Sequence, residues 1–160
     1  MIFVNYSINY VFYIDRLQKE GRMCMDFITF ENVEREYHIG NTIIKAVDRI
    51  SFTLSKGTFN VVLGQSGAGK TTVLNMLGGM DSCTAGRIIV NDKEISGMSE
   101  YELTEYRRTQ IGFVFQFYNL VPNLTALENV QLAEEIAPDP LDAREMLQRV
   151  GLEKRMNNFP

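Results

Sequence analysis

Residues 64–71 constrain this chain more than any other part of its sequence. They are Gly64, Gln65, Ser66, Gly67, Ala68, Gly69, Lys70 and Thr71. The small residues let the backbone curl tightly around a bound group. The strand-like run 58–63 precedes them, and a helical pattern follows to Leu77. Because the amides of such a loop and of the helix start favour an anion, the pattern predicts a phosphate-binding loop between a buried strand and a helix.

Three polar side chains at the end of this loop have expected tasks. Lys70 adds a full positive charge, expected at the β- and γ-phosphates of a nucleotide. The Thr71 hydroxyl is placed to ligate Mg²⁺, and Thr72 can reach the α-phosphate. The alternative is a glycine-rich turn that only connects strand and helix. The apolar strand before it and the amphipathic helix after it favour nucleotide binding by residues 64–72.

Length, charge and cysteine placement limit the other roles of the chain. The 160 residues, 45% of them apolar, have the composition of one globular domain. A net charge of −4 gives no basic face for DNA or RNA, so no nucleic-acid partner is expected. Cys24, Cys83 and His38 lack metal-ligand spacing, which favours free thiols. No apolar run approaches the roughly 18 residues of a membrane-spanning helix, so a membrane role would need a partner.

The first 24 residues differ from the rest. Residues 1–14 are rich in Tyr, Phe, Ile and Val, but polar residues interrupt them and no basic residue precedes them. This is a poor secretory signal. The segment is an extra edge strand, an interfacial segment, or not part of the natural protein. We favour the last, because a purine-rich codon run can encode residues 19–22 just before Met23 and Met25, where translation would then begin.

Periodicity and turn residues predict the remaining elements. Strands are expected at 27–33, 49–54, 58–63 and 111–115, and a hairpin at 87–95 that turns at Asn91 and Asp92. Helices are expected at 70–77, which Gly78 and Gly79 end, at 100–108, at 125–135 after a capping box, and from Leu141 to a cap at Gly151.

Two motifs carry a resemblance to a known family. The loop GQSGAGKTT at 64–72 and the run IGFVFQFYNLVPNLTALENV at 111–130 resemble the ATP-binding subunits of ABC transporters, and the spacing from Lys70 to Gln116 also fits. Within that family, these motifs most resemble those of the lipoprotein-release, macrolide-export and peptide-resistance branch. One mild departure is Cys83-Thr84-Ala85-Gly86, where that branch usually has Pro-Thr-Ser-Gly.

The resemblance implies a fold and a domain organisation. The fold is α/β, with a P-loop NTPase core of the RecA-like type, an antiparallel β part and the start of a helical subdomain, and it is incomplete here. Residues 25–124 would form a partial ATP-binding core and residues 125–160 the beginning of the helical subdomain. Residues 1–24 would be the extra or non-native extension.

The resemblance also implies ATP and Mg²⁺ as cofactors, with roles for two further residues. Tyr37 matches the aromatic that stacks on adenine; the alternative is an ordinary half-buried tyrosine at a strand end. Gln116 matches a glutamine that contacts Mg²⁺ or the attacking water, and is therefore expected, with Lys70, to be catalytic; the alternative is a buried hydrogen-bonding glutamine. The segment 117–124 would couple to transmembrane helices.

Two partners follow from the same resemblance. One is a transmembrane permease, which would hold the chain on the cytoplasmic face of the cell membrane. The other is a second ATP-binding subunit, paired head to tail so that each ATP lies between one subunit's phosphate loop and the other's signature motif. The family's signature, acidic strand-end motif, catalytic glutamate and switch histidine do not occur before Pro160. We therefore expect weak nucleotide binding, negligible hydrolysis by this chain alone, and unpaired sheet edges beside the phosphate-loop strand.

Two other functions stay open at this point. One is a nucleotide-binding fragment without enzyme activity. The other is a non-transport ABC ATPase of the DNA-repair or translation type, which coiled-coil insertions or basic arms would favour. The sequence does not identify a transported substrate. It also leaves import and export open, although the resemblance leans toward export or lipid-linked release.

Overall fold

The computed structural model describes residues 2–5, 11–14, 26–115 and 119–160. The chain forms two compact units, Met1–Gln116 and Phe117–Pro160. The described elements of the first unit are β1 (Ile2–Asn5), β2 (Val11–Ile14), β3 (Asp26–Ile39), β4 (Thr42–Ser55), β5 (Phe59–Val61), α1 (Lys70–Leu77), β6 (Ala85–Val90), β7 (Lys93–Glu94), α2 (Glu100–Gln110) and β8 (Ile111–Val114). Those of the second are α3 (Ala126–Ile136), α4 (Ala143–Arg149) and a 3₁₀ turn at Glu153–Arg155.

One sheet is antiparallel and has the strand order β4-β3-β6-β7. Its long hairpin, β3 and β4, turns at Gly40, whose φ of 59° lies in the left-handed region that glycine adopts without strain. Both strands extend well beyond the predicted stretches 27–33 and 49–54. The expected β6–β7 hairpin is confirmed, with Asn91 and Asp92 both at positive φ as a two-residue type I′ turn requires.

The core of the first unit lies between this sheet and α1. Ile28, Phe30 and Val33 of β3 are fully buried, as are Leu74, Met76 and Leu77 of α1. Phe30 stacks on Phe52 of β4 with ring centroids 4.5 Å apart. Burying each large apolar side chain contributes roughly 1.5 to 3 kcal/mol, so this packing holds α1 against the sheet.

Helix α1 begins and ends where the sequence predicts. At its C-terminal end Gly79 has a φ of 66° and donates its amide to the Met76 carbonyl, and the Met80 amide bonds to Asn75. This pair of bonds is a Schellman motif, which satisfies carbonyls that the helix itself leaves open. The glycine stop is therefore confirmed, with Gly79 in the left-handed position.

Helix α2 donates side-chain hydrogen bonds to the same end of α1 and to the turn that follows it. The Tyr106 hydroxyl donates to the Leu77 carbonyl at 2.8 Å, and Arg107 donates to the Gly79 carbonyl. Burial raises the pKa of the Tyr106 phenol above its usual range, so the hydroxyl keeps the proton that it donates. A capping box of Ser99 and Glu102 starts α2.

The prediction of a buried strand at 58–63 is wrong in two respects. The strand β5 is only three residues long, and Phe59, Val61 and Leu63 are exposed. Alternate residues of a strand point to opposite faces. Val62 accordingly packs against the core, whereas nothing in the described part of the chain covers the other face.

The second sheet has the order β5-β2-β1-β8. Strand β2 pairs antiparallel with β5, and β1 pairs parallel with β8. The N-terminal strands thus lie inside the sheet order rather than at an edge, and β5, expected to lack neighbours, is paired on one side. That residues 1–24 are not part of the natural protein stays a prediction.

The second unit is helical. A capping box of Thr125 and Glu128 starts α3 as predicted, and Asp142 caps α4 by accepting the Glu145 amide. Gly151 follows α4 with a φ of 76°, in agreement with its expected role as a helix stop. A small core of Leu127, Ala143, Leu147 and Met156 joins the helices and the 3₁₀ turn. Over the whole described part of the chain, no helix has the length and apolar character needed to cross a membrane.

Replacing Tyr106 by Phe should lower the free energy of unfolding by about 1–2 kcal/mol, because the buried Leu77 carbonyl would lose its donor. Urea denaturation measures the change. Tyr101→Phe is the matched control on the same helix, since Tyr101 is 76% exposed and Tyr106 only 7%. Equal stabilities for the two variants would contradict this role of the Tyr106 hydroxyl.

Candidate functional site

A cleft of about 300 Å³ opens at the start of α1. One wall comes from the predicted phosphate loop and the first turn of the helix, and the other comes from β4. The lining residues are Ile44, Lys45, Ala46, Ser66, Gly67, Ala68, Gly69, Lys70, Thr71 and Thr72.

The loop wall is curled by two left-handed glycines. Gly67 and Gly69 have φ values of 80° and 79°, and between them the Ala68 amide donates to the Gln65 carbonyl. Gly69 is the N-cap of α1, and its carbonyl accepts the Val73 amide at 3.0 Å. The tight turn therefore runs into the helix without an intervening residue.

The start of α1 suits an anion. No side chain caps this helix end, and its first turn contains no acidic residue. The first amides of an α-helix have no carbonyl partner within the helix, and together with the helix dipole they favour negative charge. A side chain on Gly67 would project into open space, so the backbone there is accessible to a ligand. These features fit a phosphate group.

Lys70 supplies the positive charge at this wall. Its amine donates to the Gly64 carbonyl at 2.8 Å and to the Gln65 carbonyl at 2.6 Å. The ammonium group is therefore held beside the loop backbone, within the cleft that it lines. Thr71 and Thr72 follow in the first turn and also line the cleft. The structure thus brings together the loop residues from Ser66 to Thr72, while Gly64 and Gln65 do not line the cleft and bind the Lys70 amine through their carbonyls.

The two walls meet where Gly69 approaches Ala46. A Cβ added to Gly69 would fall well inside the 3.0 Å from the Ala46 carbonyl oxygen below which such atoms are essentially never found. Ala46 lies at an irregularity of the β3–β4 pairing: Arg35 opposes Val47 and Glu36 opposes Lys45, which leaves Ala46 without an opposite residue. An extra residue of this kind bends a strand and redirects its groups.

The β4 wall was not predicted. Ile44, Lys45 and Ala46 fall in a stretch that was not identified as a strand, although the Gly40-Asn41 pair before it is a hairpin signal. Lys45 forms ion pairs with Glu36 at 3.3 Å and Asp48 at 3.7 Å. The hydrogen bond to Glu36 and the charge of Asp48 raise the pKa of Lys45, so this second cation at the cleft stays charged.

Tyr37 stands beside the β4 wall. It is the cross-strand neighbour of Ile44, so the two side chains share one face of the hairpin. Its hydroxyl donates to Asp81 at 2.5 Å, and the Arg35 guanidinium lies over its ring, 4.6 Å from the centroid. The side chain is half-buried near the end of β3. Gln116, the other residue singled out beyond the loop, lies outside the described residues.

Comparison with known proteins identifies a family. Residues 47–160 match the sequence family described as ABC transporter. An uncharacterized ABC transporter ATP-binding protein of Mycobacterium tuberculosis is 38% identical over 138 residues, which cover 83% of this chain and 56% of that protein. A protein of the same description from Thermotoga maritima is 39% identical over 134 residues, covering 81% and 57% respectively. The chain thus spans a little over half the length of these relatives.

Solved structures agree. The ATP-binding cassette MJ0796, in a dimeric post-hydrolysis state bound to ADP and Pi, superposes with a TM-score of 0.67 at 33% identity, over 83% of this chain and 61% of that one. A second dimeric structure of MJ0796, described as a bacterial ABC transporter cassette, also gives 0.67, at 34% identity, over 82% and 60% of the two chains. The predicted α/β P-loop fold with an antiparallel β part is confirmed.

Two glycine variants separate backbone conformation from close packing in this loop. Gly67→Ala should lower the free energy of unfolding by about 1–2 kcal/mol through its positive φ alone, since nothing lies within 4 Å of the added Cβ. Gly69→Ala carries the same strain and also strikes the Ala46 carbonyl, which should add about 1–3 kcal/mol. Urea unfolding of both variants checks the difference. Equal destabilisation would mean that the two walls are not in close contact.

Proposed function

This chain belongs to the ABC transporter family, and we propose that it binds Mg-ATP in the cleft between β4 and the loop at 64–71 as part of an ATP-binding subunit. The observation that carries the proposal is the start of α1, where a glycine-rich turn, an uncapped helix end and the Lys70 ammonium face one cleft. The ADP and Pi bound to MJ0796, a similar chain, support a nucleotide as the ligand.

Different loop residues bind different phosphate groups of the triphosphate. Amides of the loop at 64–69, apart from that of Ala68, which bonds to the Gln65 carbonyl, donate to phosphate oxygens. Lys70 neutralises the β- and γ-phosphates, and the Thr72 hydroxyl reaches the α-phosphate. The Thr71 hydroxyl is the expected Mg²⁺ ligand in the described residues. Bound there, Mg²⁺ would offset the negative charge of the phosphates.

Two residues outside the loop complete the proposed site. The Tyr37 ring stacks on the adenine, a contact worth roughly 1–3 kcal/mol per base in other nucleic-acid sites. Its position beside Ile44, which lines the cleft, supports this role. Gln116 is proposed to contact Mg²⁺ or the attacking water, and it follows β8 by two residues.

Hydrolysis and transport are proposed for the assembled protein. A second ATP-binding subunit would pair head to tail with this one, and the dimeric state of MJ0796 supports the formation of a dimer. A transmembrane permease on the cytoplasmic face of the membrane would be the partner that moves the substrate, with the segment 117–124 coupling to it. Residues 125–160 would begin the helical subdomain. Membership of the lipoprotein-release, macrolide-export and peptide-resistance branch is proposed from the resemblance of the motifs at 64–72 and 111–130.

Lys70→Ala should weaken Mg-ATP binding at least tenfold. A charge-assisted hydrogen bond contributes about 1.5–3 kcal/mol, and each 1.4 kcal/mol is a factor of ten in affinity. Isothermal titration calorimetry of the full chain gives the dissociation constants. Lys93→Ala is the matched control, because it removes the same charge from an exposed position on β7.

The control should bind Mg-ATP as the unmodified chain does. Equal affinity in the Lys70→Ala variant would contradict the placement of the triphosphate at this loop. An equal loss in both variants would indicate a general effect of charge instead of a site.

A further inference from the structure

Three side chains form a closed cluster beside the cleft. Asp81 accepts a hydrogen bond from the Tyr37 hydroxyl through one carboxylate oxygen at 2.5 Å. Its other oxygen pairs with the Arg35 guanidinium at 2.5 Å and accepts the Ser82 amide at 2.9 Å. The Asp81 and Arg35 side chains are only 15% and 21% exposed, so the cluster is largely shielded from water and salt.

The cluster fixes the Tyr37 ring from two directions. Asp81 holds its hydroxyl, and the guanidinium of Arg35 lies over one of its faces, 4.6 Å from the centroid. The Nε atom of Arg35 is buried and, among the described residues, has no hydrogen-bond partner. Arg35 therefore leaves a hydrogen bond unmade in this position, which the ion pair with Asp81 and the ring contact must offset.

The cluster also joins the ring to the phosphate-loop helix. Asp81 follows the Schellman turn that ends α1, and α1 begins at Lys70. On the other side, Tyr37 neighbours Ile44 across the hairpin, and Ile44 lines the cleft two residues from Ala46. Asp81 thus connects Tyr37, which lies next to the β4 wall, to the end of α1, the helix whose first turn forms part of the loop wall.

We propose that Asp81 is a positioning residue for the base of the bound nucleotide, acting through Tyr37 and Arg35. This rests on the proposed function. A flat ring has two faces; Arg35 occupies one, and the base stacks on the other. Because the ring is held before the ligand arrives, binding does not have to order it, and the contact gains affinity.

The inference separates the two parts of the ligand. The base depends on the cluster, whereas the triphosphate depends on the loop. Asp81→Ala removes a negative charge, so its direct electrostatic effect would strengthen the binding of every polyphosphate anion. A selective loss for the ligand that carries a base can therefore not come from that charge.

Calorimetric titrations of the full chain with Mg-ATP and with Mg-tripolyphosphate test the proposal. Asp81→Ala should weaken ATP binding about tenfold, the size expected from losing much of one base–aromatic stacking contact. Tripolyphosphate affinity should stay within about twofold, the usual error of additivity between independent sites. Tyr37→Ala should show the same pattern, and the double variant should be no weaker than Tyr37→Ala alone.

Further variants guard against a folding defect. Arg35→Lys keeps the positive charge beside Asp81 but removes the planar group over the ring, so ATP affinity should again fall while tripolyphosphate affinity holds. Asp139→Ala removes a charge from an exposed position and should leave both affinities unchanged. Retained tripolyphosphate binding shows in each case that the loop is intact.

The outcomes are distinct. Equal weakening of both ligands would overturn the inference, because Asp81 would then support the loop as a whole. Unchanged ATP affinity in Asp81→Ala, or additive losses in the double variant, would overturn it as well. Each of these leaves nucleotide binding by the unmodified chain in place. Failure of that chain to bind either ligand would instead defeat the proposed function, and the inference with it.

Discussion

The contact between Gly69 and the Ala46 carbonyl joins the two walls of the cleft, and it depends on features of both walls. Glycine is required there twice, once for its positive φ and once because a side chain would strike the carbonyl. On the other side, the irregular pairing of β3 and β4 leaves Ala46 as an extra residue. The helix start therefore faces a strand that belongs to the antiparallel sheet, and the phosphates of the proposed ligand would lie between the two.

Helix α1 forms one wall of the cleft at its start and is bonded to α2 at its end, and this makes it the element on which the site depends. Its first turn lines the cleft, and at its other end the Leu77 carbonyl accepts a hydrogen bond from Tyr106 of α2, while Arg107 of α2 donates to the Gly79 carbonyl just beyond the helix. Its buried residues belong to the same hydrophobic core as those of β3. A ligand at the first turn would thus meet a helix that is already packed in the core, so little ordering would oppose binding there.

Local signals predicted the parts of this fold that depend on neighbouring residues. The capping box at Thr125 and the glycine stop of α1 were predicted from sequence spacing, and the structure has both, whereas the capping box at Ser99 was not predicted. The exposure of β5, which was predicted to be buried, and the β4 wall of the cleft were not predicted. The exposure of Phe59 depends on which elements cover the sheet, and the place of Ala46 depends on a pairing irregularity with a strand that also bonds to β6. Both features depend on residues that are far apart in the sequence, so a short stretch of sequence cannot predict them.

Hydrogen–deuterium exchange of the full chain, with and without saturating Mg-ATP, tests most directly whether the nucleotide lies between the loop and β4. Bound phosphates should slow amide exchange at residues 64–72, and contact of the nucleotide with β4 should slow it at 44–46. Amide exchange in α4 of the second unit should not change. Saturation by ATP, confirmed by calorimetry, with no slowing at 64–72 would contradict a phosphate site at this loop.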